Sequence, residues 1–182
     1  MTEKEKKKKN EENLRRLNSG RDEVIIETLT DLRNKGSDEV LPAVFTVLAE
    51  SRSQKVADQL SEFLNDLNNK VNPDIIITSL KTHESGMNYD KMISSCWQNG
   101  IDFSKHLDFF VDIAVKKDYN TAIEAFSVIE ENLSLLSIAE RENLADYLNT
   151  HLPAKDQSKN KLLQELKNVI SSFSGPLGLD LG

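Results

Sequence analysis

The sequence predicts an all-α chain, a right-handed stack of antiparallel helical hairpins with about nine helices. Three observations carry that expectation. Apolar helical patterns open at Asp38, Pro73, Phe103 and Ser137, separated by 35, 30 and 34 residues. Each is followed by a second pattern opening near Gln54, Asn88, Tyr119 and Ser158. A near-constant period of this size belongs to stacked repeats, because a single helical hairpin cannot bury its apolar face alone. Finally, 7 Gly and 4 Pro in 182 residues are too few for a loop-rich fold, and 38% hydrophobic content suits a thin, elongated stack.

The elements follow in chain order. Residues 1–21 hold eight Lys/Arg against four Glu, including Lys6 to Lys9, with Leu14 and Leu17 as the only sizeable apolar groups. So little apolar area leaves ordering entropy uncompensated, so this basic leader is expected to be a frayed helix or disordered, and removable without harm to the fold. A helix from about Asp22 to Lys35 follows, with Ile25, Leu29 and Leu32 on one stripe, and is expected to cap the stack. Gly36-Ser37-Asp38 reads as a stop followed by an N-cap, and Pro42 lies in the first turn of the next helix, where its missing N–H costs little.

The first helices of the hairpins carry wide apolar arcs: Val40, Leu41, Val44, Phe45, Val47 and Leu48 in one, Phe103, Leu107, Phe109, Phe110, Val111, Ile113 and Ala114 in another. Wide arcs imply contacts on two sides. The second helices carry single stripes spaced i, i+3, i+4, i+7: Val56, Leu60, Phe63, Leu64, Leu67 and Val71; then Tyr89, Met92, Ile93, Cys96 and Trp97. Tyr119, Ala122, Ile123, Phe126 and Ile129 form the third, and Leu162, Leu163, Leu166, Val169, Ile170 and Phe173 the fourth. Asn72-Pro73-Asp74 supplies a cap with Pro at the first helical position, and Asn99-Gly100 a stop. Three domains result: the leader 1–21, a repeat domain 22–173, and a C-terminal tail 174–182 with Leu177, Leu179 and Leu181 in alternation.

The stretch from Val40 to Leu67, with Leu41-Pro42 opening one helix and Val56-Ala57 starting the stripe of the next, resembles the HEAT-like branch of the α-helical repeat families. Later units lack the proline and show no regular Asp and Arg pair between helices. The resemblance implies an extended surface for a protein partner. HEAT-like di-iron hydroxylases carry several His-Glu pairs, and this chain has only His83-Glu84. HEAT-like DNA glycosylases need basic and aromatic residues along a concave face, against which the acidic body and single Trp argue.

No catalytic, cofactor-binding or metal site is expected. His106 and Asp108 are two residues apart, whereas helical ligands projecting together need three or four. Cys96 lies on an apolar stripe as an inert core thiol, and Trp97 is expected mostly buried beside it. No glycine-rich phosphate loop is present.

Outside the leader, fifteen Lys/Arg face twenty-six Asp/Glu. An acidic body repels phosphate, which leaves a protein or peptide as the expected partner and nucleic acid, through the basic arm, as the alternative. Asp108 and Asp112 share a helix face, and Glu130 and Glu131 end the following helix, so together they are the candidate docking patch for a basic segment. No apolar run is long enough to span a bilayer and the N-terminus has charges where a signal peptide needs an apolar core, so a cytoplasmic location is expected.

Overall fold

A computed structural model describes residues 2–33, 38–68, 70–154 and 156–173. Among these the chain is all-α, with ten α-helices and no strand. The expected stop at Gly36-Ser37 and the tail 174–182 lie outside the described residues. Two compact units form, Met1–Ile101 and Asp102–Gly182.

The first unit holds α1 (Glu3–Leu17), α2 (Asp22–Arg33), a 3-10 turn at Asp38–Val40, α3 (Leu41–Glu50), α4 (Gln54–Asn65), α5 (Pro73–Thr82) and α6 (Tyr89–Gln98). Helix starts fall where capping chemistry put them. The Asn72 side chain accepts from the Asp74 N–H at 2.9 Å with Pro73 in the first turn, and Gly100 adopts φ +67° after Asn99 closes α6. Beside the hairpin pairs α3 with α4 and α5 with α6, α3 packs on α5 and α4 on both α2 and α6.

Two side-chain details fix this packing. Asn88 donates from Nδ2 to the carbonyls of Leu48 and Ser51 at 2.8 and 3.0 Å, satisfying groups left open at the end of α3. Next to it, the Met87 N–H donates to the Ala49 carbonyl at 2.9 Å, an approach so close that a Cβ on Gly86 would stand 2.9 Å from the Ala49 Cβ. Ion pairs then tie α1 to α2, α2 to the end of α4, and α4 to α6: Arg16 to Asp31, Arg33 to Asp66, and Lys91 to Asp58, at 2.6, 3.2 and 2.9 Å. The sequence reading found no regular pairing because the partners are not at a repeated position.

The basic leader is helix α1. Thr2 and Glu5 form a capping box at its start, and Asn10, Asn13 and Leu17 are buried against α2, α3 and the 3-10 turn. Counting apolar groups missed this face, because two of its three members are asparagines; Asn10 donates to the Glu39 carboxylate. Residues 3–8 stay exposed. This helix raises the number from the nine expected to ten.

The second unit holds a 3-10 turn at Ser104–His106, α7 (Leu107–Lys116), α8 (Tyr119–Asn132), a 3-10 turn at Leu133–Leu135, α9 (Ile138–Asn149) and α10 (Gln157–Ser172). The α7–α8 hairpin packs closely through the small residues Ala114, Ala122 and Ala125, all fully buried. Buried Asn132 locks its open end, accepting from the Phe103 N–H at 2.8 Å and donating to the Val128 carbonyl at 2.8 Å. Helix α9 lies on α7, and α10 on α8 and α9.

Three expected core positions are corrected. Trp97 is 38% exposed, and on α8 Tyr119 and Ile123 are 45% and 39% exposed. At 100° per residue, the i, i+3, i+4 rule fixes a stripe's width but not its centre. Burial on α6 centres on Met92, Ile93 and Cys96, which places Trp97 at the stripe's edge; on α8 it centres on Ala122, Ala125 and Ile129.

Candidate functional site

Asp108 and Asp112 stand one turn apart on α7, opposite the face that buries Leu107, Phe110, Val111 and Ala114. Asp108 sits in the first turn, where the helix dipole favours a carboxylate. On the facing helix α9, Glu140, Leu144 and Tyr147 recur at i, i+4, i+7 and form a second stripe. Between the two lies a notch of about 310 Å³, lined by Lys105, Asp108, Leu136, Glu140, Leu144 and Tyr147 among others.

The tyrosine organises this notch. Its hydroxyl donates to the Asp112 carboxylate at 2.5 Å, and its ring meets the edge of His151 at 5.1 Å. Partial burial pushes the Asp112 carboxyl up, but hydrogen bonds from Lys116 and Tyr147 outweigh it and hold the group below the ordinary carboxylate value. The same bond to Asp112 raises the Tyr147 hydroxyl, with the charges of Asp112 and Asp108 adding to it. Tyr147 therefore stays a neutral donor at physiological pH, and 38% of its surface faces solvent. Glu140 is committed locally: it closes the α9 capping box, accepting from the Ser137 N–H and hydroxyl at 2.8 and 2.7 Å, which lowers its carboxyl.

Of the four acids expected to combine, the structure brings Asp108 and Asp112 to one place. Asp108 lines the notch and Asp112 adjoins it through its bond from Tyr147, whereas Glu130 and Glu131 lie exposed near the end of α8 and do not line it. Sequence reasoning missed Glu140 and Tyr147. The Ser137-x-x-Glu140 spacing marks the helix start, and counting four and seven residues onward would have found the stripe.

The remaining candidates are chemically quiet. Cys96 is buried, and burial pushes its thiol up to about 12, so it stays protonated. His83 ends α5 half-buried, its Nε2 3.1 Å from the Thr46 hydroxyl. His151 follows the Thr150 cap of α9, its Nδ1 3.1 Å from the Tyr147 carbonyl. Among the described residues no group of three His, Cys, Asp or Glu side chains is placed to hold a metal ion, and no helix is long and apolar enough to cross a membrane. No protein-family model matches the chain, and no curated protein matches it in sequence.

Proposed function

We propose that the chain is a non-enzymatic interaction module of HEAT-like stacked hairpins, working in the cytoplasm, that offers the α7–α9 notch to a basic peptide segment of a partner protein. The packing of α3 on α5 and α4 on α6, and of α7 on α9 and α8 on α10, supports the repeat reading within each unit. The observation that carries the binding reading is the exposed Tyr147 ring flanked by the carboxylates of Asp108 and Asp112, with Leu136 and Leu144 beside it. An aromatic face next to paired acids suits a lysine or arginine head, while the leucines suit an apolar neighbour in the same peptide.

Fluorescence anisotropy with a labelled alternating lysine–leucine nonapeptide tests this reading. Binding should weaken as salt is raised, and Tyr147→Ala and the double variant Asp108→Asn/Asp112→Asn should each weaken it about tenfold or more. Equal binding by these variants, or equal binding of an aspartate–leucine control, sinks the proposal. A second reading rests on Lys4, Lys6, Lys7 and Lys8, which are exposed on α1. Binding of labelled single-stranded RNA or DNA that disappears on deletion of residues 1–8 would favour it instead.

A further inference from the structure

The charges at the α7–α9 notch are not equally available to a partner. Asp112 accepts from Lys116 and Tyr147, and Glu140 is held by the Ser137 cap of its own helix. Lys105 and Asp108 line the notch, are exposed, and enter no side-chain hydrogen bond or ion pair among the described residues. A partner therefore meets one uncommitted ammonium and one uncommitted carboxylate. The chain sets the two side by side. Lys105 lies in the 3-10 turn Ser104–His106, and Asp108 in the first turn of α7. Residues three apart share a face in both kinds of helix, with Cβ atoms about 5–6 Å apart on an α-helix. The turn is pinned on either side of Lys105: the Asp102 carboxylate accepts from the Ser104 N–H at 2.9 Å, and the Phe103 carbonyl from the His106 N–H at 2.8 Å.

We propose that the partner segment accepted by the notch carries an acidic residue two places from its basic one, and that Lys105 selects for that acid. The inference rests on the α7–α9 binding reading and narrows its partner from a basic segment to one of mixed charge. In an extended segment alternate side chains share an edge about 6.6 Å apart, close to the spacing of Lys105 and Asp108. The basic head then meets Asp108 and the Tyr147 ring while the acid meets Lys105. A segment with lysines at both places sets like charges together at Lys105, and this repulsion discriminates against it.

The test compares two labelled nonapeptides by fluorescence anisotropy at physiological salt, where exposed charges more than about 8 Å apart are screened. One is the alternating lysine–leucine sequence; in the other, the lysines two places on either side of the central lysine are glutamates. The ratio of the two affinities is the readout. Lys105→Glu should move that ratio about tenfold or more toward the lysine–leucine peptide, and Lys105→Gln should move it the same way by less. Lys161→Glu, an equal change of net charge at an exposed position of α10, should leave the ratio where it is. A ratio unmoved by Lys105→Glu, or moved as far by Lys161→Glu, would overturn the inference and leave the notch reading standing. Failure of both peptides to bind the parent protein would remove the notch reading and this inference with it.

Discussion

Gly86 and Leu17 show how single side chains, or the lack of one, hold the first unit. A methyl on Gly86 meets the Ala49 Cβ at 2.9 Å and the His83 carbonyl at 3.1 Å, so Gly86→Ala must push α3 away from the loop. The expected cost is about 1 to 3 kcal/mol, read from chemical denaturation. Trp97→Ala should cost well short of the about 3 to 5 kcal/mol of a fully buried tryptophan, because its ring is partly in water. In the second unit Asp112 carries a pH signature. Its carboxyl titrates below the ordinary value in the folded state, so the unfolded chain takes up its proton first as pH falls. The stabilisation is complete above the ordinary carboxylate value near 3.8 and is lost as pH drops through the lower folded value. Asp112→Asn should therefore be less stable than the parent at neutral pH, and the gap should close in acid; a gap independent of pH would contradict the assignment.

Among the elements, starts and stops were the most legible part of the sequence. The openings expected at Pro73, Gln54 and Tyr119 are those observed, and Ser137 caps α9, because Pro, Asn and Ser act on their own neighbours. Stripe centres were less legible, since which edge of an apolar arc is buried depends on the neighbour; hence Trp97, Tyr119 and Ile123 reach solvent. The clamp from Asn88 was invisible for the same reason: its acceptors on Leu48 and Ser51 lie 40 and 37 residues away. Asn88→Ala leaves those part-buried carbonyls without this donor and should cost about 1 to 3 kcal/mol, measured as a shift of the denaturation midpoint.

For the molecule as a whole, the clearest revision concerns the leader. Judged by apolar content it was removable, yet α1 buries Leu17 at 1% exposure and pairs Arg16 with Glu27 and Asp31. Deleting residues 1–8 should leave the melting temperature nearly unchanged. Deleting residues 1–18 should destabilise by at least the about 2 to 5 kcal/mol of a buried leucine. Of the candidate site, the acidic face of α7 was legible because i, i+4 spacing is local, whereas its union with Tyr147 across 35 residues required the packing of α9 on α7. The central claim is that this union recognises a basic peptide. Isothermal titration of the lysine–leucine nonapeptide into the parent and Tyr147→Ala proteins tests it most directly. The account predicts saturable, salt-sensitive binding to the parent and about tenfold or greater weakening in the variant; indistinguishable isotherms for the two proteins would contradict it.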